Sequence, residues 1–158
     1  MKQGSIQRLL YVSRITARAA GPLPSTMEDI LVESHGRNAA LGVTGFLWSD
    51  GVHFCQVLEG ADAAVDAVFA SILQDDRHKD VRLRLQEASS DRKFDRWSMC
   101  GMTLSDLDES VIDGGDLGGD LYLAPAEDVI AMLAHLCAVH GAALEAQHRR
   151  IVAATAGL

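Results

Sequence analysis

A chain of 158 residues with 48% hydrophobic and 23% charged residues has enough material for one domain with its own core, plus a short appendage. The longest apolar runs fall well short of the roughly 18 residues of a membrane span, and Leu9–Val12, closely followed by Arg14 and Arg18, is too short for a signal-peptide core, so a cytoplasmic protein is expected. The net charge of −8 is concentrated: eight acids and no Lys or Arg lie between Ser105 and Asp128, which equals the whole excess of acids over bases and argues against direct nucleic-acid binding.

Ile6–Ser13 reads as a strand. Gly21-Pro22-Leu23-Pro24 then breaks the chain, and Ser25-Thr26-Met27-Glu28 has the capping-box pattern that opens a helix. Met27, Ile30, Leu31 and Ser34 fall on one face of that helix, and Gly36 is its expected stop. Val43–Ser49 and Val52–Leu58 form a hairpin about Asp50-Gly51. Ala61–Asp75 is a second amphipathic helix with Val65, Val68, Phe69 and Ile72 inward. Val81–Gln86 alternates apolar and polar residues, as a strand with one wet face does, and Trp97–Thr103 is the last expected strand.

The order β-α-β-β-α-β-β predicts an α+β, ferredoxin-like sandwich: a five-stranded mixed sheet with two helices on one face. Beyond Ser105 the character changes. Asp113–Asp120 reads as a flexible acidic Gly/Asp linker, and Pro125 precedes a helix carrying Val129, Met132, Leu133, Leu136 and His140. Gly141 separates that helix from another, Ala142 to about Ala154. The expected division is therefore residues 1–104 as the main domain and 105–158 as linker and C-terminal helices, a cap, output or dimerisation segment.

Three widely spaced cysteines without a CxxC pattern point to reduced, mostly buried thiols. Six histidines lack zinc-site spacing, so no metal is expected. Gln56 stands out. A carboxamide inside the apolar strand Phe54-Cys55-Gln56-Val57-Leu58 must find hydrogen-bond partners, and its donor and acceptor ends can engage a ligand.

Five motifs in order resemble the BLUF family of flavin-binding blue-light sensors. They are Tyr11-Val12-Ser13; Ser34…Asn38…Gly42-Val43-Thr44-Gly45; Phe54-x-Gln56-x-Leu58-Glu59-Gly60; Asp75-Asp76-Arg77-His78; and Phe94-x-x-Trp97-x-Met99. The resemblance runs from about Leu9 to Met102. It implies FAD, with FMN or riboflavin as alternatives, held between the two helices. It makes Tyr11 the electron and proton donor, and places Gln56 between the Tyr11 hydroxyl and the flavin. Asn38 would hydrogen-bond the ring, Ile30 and Ile72 would sandwich it, Arg77 would face the ribityl-phosphate side, and His78 would lie close to the ring. Ser13 belongs to the same binding set. Trp97 and Met99, on the last strand, would carry the signal outward.

The resemblance also implies a homodimer or larger homo-oligomer and a downstream protein partner. The chain departs from the family at Arg37, where many members carry Asn or His, and Cys55 and Cys100 flank the photochemical residues in sequence. Without an effector-sized second domain or a nucleotide-binding fingerprint, the expected role is a photosensor and not an enzyme. A flavin-dependent oxidoreductase and a light-independent interaction module that has lost flavin are the alternatives.

Overall fold

The computed structural model describes residues 5–103 and 121–156. Strand β1 (Ile6–Ile15) is followed by a single turn, α1 (Ala17–Ala20), and by α2 (Leu23–Leu41). The hairpin β2 (Thr44–Ser49) and β3 (His53–Gly60) leads to α3 (Asp62–Leu73), then β4 (His78–Ser89) and β5 (Cys100–Thr103). Helices α4 (Ala126–Val139) and α5 (Gly141–Thr155) end the described chain. The sheet order is β4-β1-β3-β2-β5, antiparallel throughout except for the parallel β2–β5 pair. This is the expected mixed α+β sheet with α2 and α3 on one face.

The second face is covered as well. Alternate residues of the strands feed two separate cores, as the period of two requires. Leu9, Tyr11, Leu47, Phe54 and Leu58 pack with Met27 and Leu31 of α2 and Val65 and Val68 of α3. Leu10, Val12, Phe46, Trp48, Cys55 and Val57 pack with Val129, Leu133 and Leu136 of α4 and Leu144 of α5. Burial on both sides explains why β1 and β3 are nearly continuous apolar runs. Helix α5 wraps the β5 edge, contributing Leu144 to one core and Ile151 to the other. No single described helix is long and apolar enough to cross a membrane; α4 and α5 together have the composition but bend by 81°.

Several expected boundaries shift for identifiable reasons. Helix α2 starts at Leu23, with Pro22 at its N-cap and Pro24 in the first turn, where a missing N–H costs nothing. The capping box is not used: the Thr26 hydroxyl donates to Ala19 O at 2.8 Å, tying α1 to α2. Gly36 does not stop the helix, which runs to Leu41 and ends at Gly42 with φ 69°, the left-handed conformation glycine tolerates. The hairpin loop is longer than Asp50-Gly51, since Ser49 pairs with Phe54. Asp50 organises it, accepting from the N–H groups of Val52 and His53 at 2.9 and 2.7 Å.

Strand β4 extends beyond Val81–Gln86 at both ends, and α3 is shorter than Ala61–Asp75. The last strand starts at Cys100, so Trp97 and Met99 lie in the connector that leads into it. The expected acidic linker Asp113–Asp120 lies outside the described residues.

Candidate functional site

A cavity of about 260 Å³ opens between α2 and α3 above the helix-facing side of the sheet. Six of the expected residues line it: Tyr11, Ile30, Gln56, Ile72, Arg77 and His78. Its floor follows from strand register. Tyr11 on β1 and Leu47 on β2 flank Gln56 on β3 as direct cross-strand neighbours, so all three side chains rise on the same face. Ile30 and Ile72 bring aliphatic surface from the two helices.

The Tyr11 hydroxyl donates to Gln56 Oε1 at 2.6 Å, and Gln56 Nε2 donates to the Met99 sulfur at 3.1 Å. The carboxamide is therefore held in one orientation by a strong partner at its carbonyl end and a weak one at its amine end. Burial, reinforced by nearby Cys55, pushes the phenol well above its ordinary range, so Tyr11 is a protonated donor at neutral pH.

His78 closes the floor. Its Nε2 lies 2.7 Å from Ile72 O, which can only accept, and its Nδ1 lies 2.8 Å from the Ser13 hydroxyl. Nε2–H therefore donates to the carbonyl, and Nδ1 pairs with the hydroxyl. Ser13 thus does not line the cavity; it fixes the ring that does. The His78 ring meets Tyr11 edge-on at 6.0 Å.

The mouth is charged. Arg77 bonds both carboxylate oxygens of Asp75 and, through Nη1, Glu33 at 2.7 Å. These hydrogen bonds, Asp75 foremost, raise the guanidinium further above its ordinary value. Burial works against ionisation of Asp75, yet the bonds from Arg77 hold its carboxyl below the usual range. Arg37 also lines the cavity and donates through Nε to Asn38 Oδ1 at 3.2 Å. Asn38 is fully buried outside the cavity lining, with its Nδ2 donating to Ser98 O at 3.3 Å.

Trp97 and Met99 separate. Met99 packs in the α2/α3 core and touches Gln56, whereas Trp97 packs in the α4/α5 core. The Trp97 indole N–H donates to Glu145 Oε2 at 2.6 Å, and the Gln147 carboxamide bridges Gly101, accepting from its N–H at 3.0 Å and donating to its carbonyl at 2.9 Å. Cys55 and Cys100 also face the α4/α5 core, away from the cavity, and burial pushes both thiols up to about 12. They are packing residues.

Sequence reasoning missed Glu33 and Asp75 as the partners of Arg77. Ile30, Glu33, Ser34 and Arg37 recur at helical spacing, so the lining face of α2 was readable once Ile30 was placed on it. Glu145 and Gln147 had no such signal, because which residues of α5 reach the connector and β5 depends on how that helix docks. Among the described residues, no group of three or more His, Cys, Asp or Glu is arranged to hold a metal.

The donor set fits a flavin. A cleft lined by two isoleucines suits a ring system, the amide of Gln56 suits its carbonyl and nitrogen edge, and Arg37 and Arg77, the latter shared with Asp75 and Glu33, suit a phosphate tail.

Comparison with known proteins agrees with this geometry. Residues 6–100 match the family model described as BLUF, sensors of blue-light using FAD. The chain is 35% identical over 81 residues to the blue light- and temperature-regulated antirepressor BluF of Escherichia coli, covering 51% of this chain and 19% of that protein. It is 30% identical over 95 residues to photoactivated adenylate cyclase subunit beta of Euglena gracilis, covering 60% of this chain and 11% of that protein. The chain thus spans a small part of the length of these curated relatives. Among solved structures, the dark state of BlrB, a BLUF protein, superposes with a TM-score of 0.68 at 28% identity, covering 85% of this chain and 98% of that one. The photo-activated state of BlsA shares the fold, with a TM-score of 0.72 at 24% identity over 83% of this chain and 94% of that one.

Proposed function

This chain belongs to the BLUF family of blue-light sensors that use flavin, and we propose that Tyr11 and Gln56 form its light-driven switch and that α5 carries the output. The observation that carries this reading is the continuous path Tyr11 hydroxyl, Gln56 carboxamide, Met99 sulfur, which starts at the cavity floor and ends in the connector to β5.

A bound flavin, FAD in this reading, supplies the absorption of blue light and the oxidising power of the excited state. Tyr11 would give up an electron and its hydroxyl proton and then recover both, so the switch leaves no group oxidised or reduced. Gln56 is the relay, and exchange of its two ends changes which groups its carbonyl and amine face. Because the amine end rests, among the described residues, on a thioether alone, reorientation gives up a weak partner. A new hydrogen bond in the low-dielectric cleft shifts the absorption slightly to the red. Ile30 and Ile72 would hold the ring, Arg77 and Arg37 would face the phosphate end, Asn38 would join the binding set through Ser98, and Ser13 fixes His78.

Loss of the Gln56 contact frees Met99, and the displacement reaches α5 through Trp97–Glu145 and Gly101–Gln147. Residues 1–104 are then the sensor and 105–158 the output segment, acting without catalysis, in the cytoplasm, on a protein partner or on the assembly state of a homodimer or larger homo-oligomer. This satisfies the need for one element with two arrangements that a partner can distinguish.

The test is the absorption spectrum of the purified, flavin-loaded chain in the dark and under blue light. The expected result is a flavin band that moves slightly to longer wavelength and returns in the dark. A band that bleaches with steady turnover on adding a nicotinamide reductant, or that ignores light, overturns the reading.

A further inference from the structure

Glu59 is fully buried on β3, three residues beyond Gln56 and on the opposite face of the sheet. Its carboxylate is saturated. Arg8, its direct cross-strand neighbour on β1, donates through Nε at 2.7 Å. The backbone N–H of Lys93 lies 3.0 Å from both oxygens, and that of Phe94 donates to Oε1 at 2.7 Å. Arg8, itself buried, also donates to Asp91 O at 2.8 Å.

An apolar pair would join β1 to β3 as well, and without the cost of burying two charges. What the carboxylate adds is a grip on the backbone of the connector between β4 and β5. That connector changes faces. Phe94 and Trp97 pack on the α4/α5 side, and Met99 packs on the α2/α3 side against Gln56. Strand β3 therefore holds both ends of the same short segment: Glu59 its start on the output face, Gln56 its end on the sensing face.

We propose that Glu59, clamped by Arg8, is a positioning residue that fixes the connector at Lys93 and Phe94, so that movement at Met99 turns the segment and displaces Trp97 instead of sliding it lengthwise. This rests on the reading of Gln56 as the switch. With residues 93 and 94 immobile, a change at Met99 is taken up within Asp95–Ser98, the stretch bearing the indole that Glu145 holds. Without the anchor, the same change would dissipate toward β4.

The experiment compares the full flavin-loaded chain with Glu59→Gln and Arg8→Lys, in the dark and under blue light. The red shift of the flavin band reports the switch, and amide hydrogen exchange over residues 97–103 and 141–150 reports its arrival. In the unsubstituted chain both change with light. In Glu59→Gln the amine end of the new amide meets donors, and the expected result is an intact red shift with a several-fold smaller light–dark difference in exchange. Arg8→Lys keeps the charge but loses the fork reaching Asp91, so a partial loss is expected; it decides the matter alone if Glu59→Gln does not fold. Undiminished light–dark exchange differences overturn the proposal, as does loss of the red shift in a variant that still binds flavin. An unsubstituted chain with no red shift sinks the switch reading itself. One with a red shift and no exchange difference sinks the pivot.

Discussion

Trp97 and Met99 stand two residues apart and pack into opposite cores of the molecule. A regular strand would put both on one face. Ser98 prevents it, since its carbonyl accepts from Asn38 and its hydroxyl pairs with His35 Nδ1 at 2.8 Å. The connector passes through the plane of the sheet at this residue, so a single residue separates the sensing layer from the output layer. Sensing-side and output-side substitutions should accordingly have separable effects.

On the sensing side, Tyr11→Phe removes the only described hydrogen bond to Gln56 Oε1. A buried acceptor left without a donor costs about 1–3 kcal/mol. The expected outcome is a folded, flavin-binding protein of reduced stability that shows no red-shifted state, checked by chemical denaturation and by dark and blue-lit spectra. A normal shift in this variant removes Tyr11 from the donor role.

Met99→Leu is a subtler probe, because it keeps apolar volume and removes only the sulfur that accepts from Gln56 Nε2. Volume-conserving swaps of this kind cost less than about 1.5 kcal/mol. The dark orientation of the amide loses its one described amine-end partner, so the return from the lit state should slow. Following the flavin band after a blue flash measures this directly, and unaltered recovery would mean that the sulfur does not bias the amide.

Glu145→Ala and Gln147→Ala act on the output side. Glu145 is about one-third exposed, so water replaces much of what it gives to the indole, and its loss should cost little stability. Gln147 covers both backbone groups of Gly101 on the open edge of β5. Its removal should raise amide exchange at Gly101 by about tenfold, which corresponds to about 1.4 kcal/mol of local opening. Both variants should keep the flavin red shift.

Much of this arrangement is legible from sequence, and the reason differs by residue. Tyr11, Gln56, Ile30 and Ile72 sit on regular elements whose periods of two and 3.6 fix their faces, so ordered motifs place them around one cleft. Where local and tertiary signals compete, reading fails. The Ser25–Glu28 pattern looks like a helix start, but Pro22 and the Thr26–Ala19 bond set the start earlier. Gly36 looks like a stop, but one glycine costs a long helix only about 1 kcal/mol, which packing of Leu31 and Met27 outweighs. The crossing at Ser98 has no periodic signature, because contacts from α2 produce it.

Two glycines should respond to alanine in opposite directions. At Gly45 an added Cβ would stand 2.0 Å from the Val57 carbonyl oxygen, which is backbone and cannot step aside. Gly45→Ala should therefore exceed the roughly 1–3 kcal/mol of ordinary overpacking and disturb the nearby Gly45 N–H to Trp97 O bond. At Gly36, exposed in the middle of α2, nothing lies within 4 Å. Gly36→Ala should stabilise by about 0.5–1 kcal/mol through helix propensity. Paired thermal melts decide it, and equal effects would contradict the packing seen at Gly45.

Acidity should loosen the fold through His148. This half-buried residue of α5 has its Nδ1 buried without a hydrogen-bond partner among the described residues and its ring edge-on to His35 of α2 at 5.6 Å. Burial, followed by the neighbouring His35, lowers its pKa, with Glu145 opposing. The folded state therefore prefers the neutral ring, and the unfolded chain takes up the proton first as pH falls below about 6.5. This contribution is complete above that value and is lost as pH drops toward the lower folded pKa. The Asp75–Arg77 pair acts in a separate window, since a depressed carboxyl loses its contribution only below about pH 3.9. Denaturation midpoints should thus fall as pH drops below about 6.5, and His148→Asn should flatten that slope while leaving the steeper loss at lower pH. If His148→Asn keeps the same slope, another histidine carries the titration and the contact between α2 and α5 is not proton-sensitive at this position.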